Sequence, residues 1–184
     1  YTYAASNSYG VTWAGVTNFT TPSPPVVTNS GINFLMTDSA SIYGALIGGG
    51  TGFAPLKGIL EHAFKTGITR PLHLFWGVRA GRDLYLDELP VQWLQEYGNF
   101  SYTPVLSEPM DKDNWTGETG FITDAVIRQY PSLDEYDVYM SGPPVMVEAG
   151  HNLFMQHGLD ESRFFSDSFE YAAVAESIKG LKQD

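Results

Sequence analysis

Eight consecutive residues, Gly48-Gly49-Gly50-Thr51-Gly52-Phe53-Ala54-Pro55, carry the clearest chemistry in the chain. Glycine lacks a Cβ, so a ligand can lie directly against the backbone amides of such a turn. The run before it, Ala45-Leu46-Ile47, reads as the end of a buried strand. After it, Leu56, Ile59, Leu60, Ala63 and Phe64 recur at helical spacing, and Gly67 ends the pattern. A strand, a glycine turn and a helix in that order set bare N–H groups beside a helix N-terminus, where the helix dipole also favours an anion. The expected ligand is a nucleotide.

The spacing rules out two standard phosphate motifs. A P-loop needs Lys-Ser or Lys-Thr directly after its last glycine, and here Lys65-Thr66 lies at the far end of the helix. The dinucleotide pattern Gly-x-Gly-x-x-Gly also fails: counted from Gly48 it ends on Phe53, and counted from Gly50 it ends on Pro55. Taken alone, a flexible turn without a ligand explains these glycines equally well.

The elements that must position this turn alternate from Gly44 onward. Strand-length apolar runs occur at Leu72–Val78, Phe100–Ser107, Tyr136–Met140 and Arg163–Ser166, with Pro104 suggesting an edge or bulge. Helical patterns fill the gaps at Asp83–Tyr97 (interrupted at Pro90), Gly120–Tyr130 and Pro143–His157. This alternation predicts an α/β fold, a doubly wound parallel five-stranded sheet with helices on both faces. Ligands of such sheets lie beyond the carboxyl ends of the strands, where the strand order reverses. Two more turns at that edge look ready for a ligand. Gly77–Tyr85 offers Arg79 and Arg82 to phosphate or ribose oxygens, and Tyr85 as an aromatic able to stack on adenine. Ser141-Gly142-Pro143-Pro144 places proline at a helix start and leaves that N-terminus open.

At 184 residues the chain suits one domain, or one domain with a fragment. A net charge of −11 argues against nucleic acid or an anionic membrane as partner. Cysteine is absent, which excludes disulfides and Cys-held metal within these residues. No run of ~18 apolar residues suggests a membrane span, so a cytoplasmic protein is the expectation. Residues 1–43 differ from the rest: Asp38 is their one charged residue, and Lys, Arg, Glu, Gln and His are missing. Ordinary domains carry roughly a quarter charged residues. The reading is therefore a fragment of a β domain over 1–43 and a nucleotide-binding α/β domain over 44–184. His62, His73, His151 and His157 show no metal-site spacing, and no metal is expected. Ser166 and Ser168 lack the Gly-x-Ser-x-Gly elbow of a hydrolase.

Together the three turns resemble the nicotinamide-binding half of the ferredoxin-NADP reductase superfamily. More narrowly, they are similar to the flavin-dependent reductases of bacterial oxygenase systems and the glucoseen reductase of deoxysugar synthesis. Trp115-x-Gly117-x-x-Gly120 and Phe164-Phe165-Ser166-Asp167-Ser168-Phe169 add to the match, which runs from about Gly31 to Tyr171. The resemblance implies NADH or NADPH as cofactor, with NADH favoured, FAD as the second cofactor, and an electron-acceptor protein of iron–sulfur or oxygenase type as partner. It implies that Gly48, Gly49, Gly50, Thr51 and Gly52, with Phe53 and Pro55 of the same motif, cradle the pyrophosphate. Arg79 and Tyr85, with Arg82, hold the adenosine half; Gly142, Pro143 and Pro144 border the nicotinamide. Phe169, or alternatively Tyr171, covers the flavin ring, with Asp167 beside the reacting centre.

Two departures accompany the match. Ser141 stands where the family usually has cysteine; it is expected to slow hydride transfer without abolishing it. Tyr1–Asn7 echoes the family's Arg-x-Tyr-Ser flavin motif, with Tyr3 at the aromatic position but Tyr1 for the arginine and Ala4 for the serine. Gly31–Leu35 resembles the strand leaving a flavin barrel, so residues 1–43 read as a remnant of that β-barrel, too short to hold flavin well. The alternative is a non-catalytic nucleotide-binding or electron-carrier docking module without flavin.

Overall fold

The computed structural model describes residues 4–7, 10–13 and 42–168. Tyr3, Phe169 and Tyr171, and the strand expected at Gly31–Leu35, lie outside them. The described residues belong to two compact units, Tyr1–Asn33 and Phe34–Asp184. The first contains an antiparallel hairpin of β1 (Ala4–Asn7) and β2 (Gly10–Trp13).

The second unit alternates strands and helices. In chain order it runs β3 (Tyr43–Gly49), a 3-10 turn (Gly50–Gly52), α1 (Phe53–Thr66), β4 (Leu72–Val78), α2 (Glu88–Glu96) and β5 (Phe100–Leu106). It continues with β6 (Glu118–Thr119), α3 (Ile122–Gln129), β7 (Tyr136–Gly142), α4 (Pro144–Gln156) and β8 (Phe164–Ser168). The sheet order is β6-β5-β4-β3-β7-β8, with every neighbour parallel. From β3 the chain builds outward through β4 and β5 to β6, then crosses to the other side of β3 to make β7. The strand order therefore reverses between β3 and β7.

Side-chain alternation explains the two-sided core. Leu46, Leu74 and Trp76 pack with Phe53, Leu60 and Trp93 of α1 and α2. Ala45, Ile47 and Phe75 pack with Val126 of α3 and Phe154 of α4. Central strands buried on both faces read as unbroken apolar runs rather than alternating ones. That is why β3 and β4 were visible in the sequence.

The expected five-stranded sheet is corrected to six. The added strand, β6, is two exposed residues paired with Val105 and Leu106, too short and too polar to leave a periodic signal. It begins opposite Val105, so at Pro104 β5 has β4 as its one strand partner among the described residues, matching the edge position proline prefers. The helix expected from Asp83 begins at Glu88 instead. Gly81–Asp83 forms a separate 3-10 turn. Pro90 does not interrupt α2; it lies in its first turn, where no intrahelical donor is required. Gly67 caps α1 in the left-handed conformation, φ 74°. No helix among the described residues is long and apolar enough to cross a membrane.

Two polar groups anchor the sheet. His73 of β4 is buried, with Nδ1 2.6 Å from the Tyr130 hydroxyl and Nε2 2.9 Å from Thr103 Oγ1. Burial holds its pKa down at about 4. At the amino end of β7, Asp137 pairs with Arg70 at 2.7 Å, both side chains almost wholly buried.

Candidate functional site

The reversal between β3 and β7 brings two turns into backbone contact. A Cβ on Gly52 would run into the Ser141 carbonyl oxygen, and one on Gly49 would come 2.5 Å from Met146 Sδ. Gly52 faces backbone that cannot yield, so proximity requires glycine there; Gly49 faces the end of a flexible side chain. From β4, Trp76 Nε1–H donates to the Gly50 carbonyl at 2.8 Å, and its ring stacks on Phe53 at 4.2 Å between centroids. Gly50 itself takes φ 55°. The glycine turn is thus held from three strands.

The helix N-termini at this edge are bare. Neither the 3-10 turn and α1, nor α4, carries a capping side chain or an acidic residue in its first turn. Unpaired amides and two converging helix dipoles favour an anion there. They open into a cleft of about 900 Å³, large enough for a cofactor.

Of the residues expected to bind, Gly49, Gly50, Thr51, Arg79 and Pro143 line this cleft. Gly48, Gly52, Phe53, Ser141 and Gly142 are buried behind it. Pro55 lies in the first turn of α1, and Pro144 starts α4 from the exposed side. Arg82 and Tyr85 do not line the cleft. Arg82 turns toward Asp83, 3.6 Å away, and Tyr85 sets its ring edge-on against Trp76 at 5.1 Å. Arg79 is the only cation among the described residues of the lining, which also contains the carboxylates of Asp83 and Asp124. The loop bearing Arg79 is tied down by Asp113, whose carboxylate accepts the Met110 and Gly81 amides at 2.9 and 3.3 Å. Those hydrogen bonds, the Met110 one foremost, hold Asp113 below the ordinary carboxylate pKa.

Strand register places Gly48, Ser141 and Asp167 side by side on β3, β7 and β8. Ser141 is 1% exposed, and its Oγ has no hydrogen-bond partner among the described residues.

Several lining residues have no counterpart in the sequence expectations: Phe121, Val145, Met146, Ser107 and Asp124. Phe121 and Val145 are 73% and 75% exposed, unusual for large apolar side chains flanking a cleft. The Trp115-x-Gly117-x-x-Gly120 motif held the signal for Phe121. Gly120, at φ 95°, turns the chain from β6 into α3 and presents the next residue to the cleft.

Residues 46–152 match the family of oxidoreductase NAD-binding domains. The chain belongs to this family. The NAD-binding domain is 39% identical over 139 residues to CDP-6-deoxy-L-threo-D-glycero-4-hexulose-3-dehydrase reductase of Yersinia pestis, covering 76% of the chain and 41% of that protein. It is 38% identical over 127 residues to the propane 2-monooxygenase reductase component of Rhodococcus jostii, covering 67% of the chain and 34% of that protein. Among solved structures it superposes on the Amycolatopsis cytochrome P450 reductase GcoB with a TM-score of 0.66 and 35% identity, over 72% of the chain and 39% of that protein. The chain therefore spans about two fifths or less of the length of these relatives. The ferredoxin-reductase-like character read from the three turns is that of the NAD-binding domain itself.

Proposed function

We propose that this NAD-binding domain is the nicotinamide-dinucleotide half of a flavin-dependent reductase, drawing on NADH and serving an iron–sulfur or oxygenase partner through FAD. The observation that carries the reading is the close approach of Gly52 to Ser141. It sets two uncapped helix N-termini side by side over one cleft. The residues fit a dinucleotide. The amides of Gly49, Gly50 and Thr51 receive the pyrophosphate, in a cradle that side chains would fill. Phe121 and Val145 offer apolar faces to the adenine, and Arg79 a cation to the adenosine half. Gly142 and Pro143 border the nicotinamide, near Ser141 and Asp167. Arg82 and Tyr85 act indirectly, Tyr85 by bracing Trp76 behind the glycine turn.

When bound, the dinucleotide supplies a hydride and the flavin accepts it. The chain's own contribution is to hold the reacting ring at the β7 end and keep water from it. The relative from Rhodococcus jostii is a monooxygenase reductase component, which supports the partner class. NADH is the better fit because Asp124 lines the cleft and Arg82 is turned to Asp83, which leaves Arg79 as the one lining cation among the described residues for a 2′-phosphate. Titrating the chain while following nicotinamide fluorescence tests this. NADH is expected to bind several-fold more tightly than NADPH. Tighter NADPH binding would overturn the nucleotide choice, and binding of neither would overturn the whole reading.

A further inference from the structure

Met146 is the one sulfur among the described residues of the cleft wall, and it lies at the seam between the two turns. A Cβ on Gly49 would lie 2.5 Å from its Sδ, and a Cβ on Gly142 would lie 2.5 Å from its Cε. Both glycines leave just enough space for a thioether, and the outer side of the residue faces the cleft. The other described methionines stand elsewhere. Met140 is 1% exposed beneath Gly150, and Met110 and Met155 do not line the cleft.

We propose that Met146 is an oxidation site whose modification switches off dinucleotide binding; the consequence for binding rests on the function proposed above. The oxidant is hydrogen peroxide. A sulfur lone pair attacks one peroxide oxygen, the S–O bond forms and the O–O bond breaks. The departing hydroxide takes the proton of the hydroxyl now on sulfur and leaves as water, so sulfur loses two electrons and peroxide gains them. An apolar, flexible thioether becomes a polar, pyramidal sulfoxide. Gly49 and Gly142 lie too close to the thioether for the added oxygen to enter between them unless the side chain moves. Either the side chain swings into the cleft or the two turns part. Each outcome spoils the amide cradle. A dinucleotide already in the cleft covers the sulfur and slows its oxidation.

The test treats the full chain with graded hydrogen peroxide and follows three readouts. Fragmentation mass spectrometry should show Met146 oxidised at least five-fold faster than Met140. Amide resonances of Gly49, Gly50 and Gly142 should shift in step with that oxidation. NADH affinity should fall at least ten-fold and return after treatment with methionine sulfoxide reductase. In Met146→Leu, the ratio of treated to untreated affinity should stay near one. Oxidation of Met146 no faster than that of Met140 would overturn the proposal. So would full oxidation that leaves those three amides and the NADH affinity unmoved. If the untreated chain binds no NADH, the proposed function falls, while oxidation rate and amide shifts still judge Met146.

Discussion

Gly52 and Gly58 both have helical surroundings, yet a methyl group means opposite things at the two positions. At Gly52 it meets the Ser141 carbonyl; at Gly58, inside α1, it meets nothing within 4 Å. Gly52→Ala should therefore cost about 1–3 kcal/mol in denaturant unfolding, the usual range for overpacking. NADH binding should weaken with it. Gly58→Ala should instead stabilise by roughly 0.5–1 kcal/mol through helix propensity and a less flexible unfolded chain. Equal effects would mean that the contact between the turns does not matter. Ser141 makes a second residue-scale case. Its buried hydroxyl has no partner among the described residues, so Ser141→Ala should keep or raise the melting temperature. On the function proposed above, flavin in flavin-loaded protein should be reduced faster with Ser141→Cys than with serine. Identical rates for serine, alanine and cysteine would show that this side chain has no part in transfer.

At the scale of elements, His73 joins β4 to β5 through Thr103 and to the end of α3 through Tyr130. Its folded pKa of about 4 lies below the ordinary 6.5. Above pH 6.5 the ring is neutral in both states, and the junction contributes fully. As pH falls from 6.5 toward 4, the unfolded chain binds a proton that the folded state refuses, so stability is lost across that window. The loss from this one group is on the order of 3 kcal/mol at most. Unfolding curves between pH 7 and 4 should show it, and His73→Gln should flatten that part of the profile. An unchanged slope in the variant would remove His73 as the source.

The molecule as a whole separates its stability from its chemistry along the strands. The Arg70–Asp137 pair lies at the amino end of β7, opposite the edge where Ser141 and the glycine turn meet. Breaking a buried pair leaves one charge uncompensated, so Asp137→Ala should cost on the order of 3–5 kcal/mol. NADH affinity measured well below the melting temperature should change less than about two-fold, because distant sites combine additively. A loss of affinity matching that of Gly52→Ala would show that the two ends are coupled.

Much of this was legible in the chain itself. The buried runs of β3 and β4, the glycine turn and the stop at Gly67 are local features, governed by side-chain period and backbone freedom over a few residues. With the alternation of strands and helices and the two further turns, they pointed to an α/β sheet and to a resemblance to the NAD-binding family. The tertiary structure decided which residues line the cleft. Arg79 reaches the cleft, whereas Arg82 and Tyr85 turn away from it. Phe121, Val145 and Met146 enter because α3 and α4 converge on one face of the sheet. The sixth strand exists only because Glu118 and Thr119 are carried against β5. Period and propensity describe a residue's own element, but a cleft is formed between elements that are distant in sequence. Its lining is set by how those elements pack, and no local pattern records that.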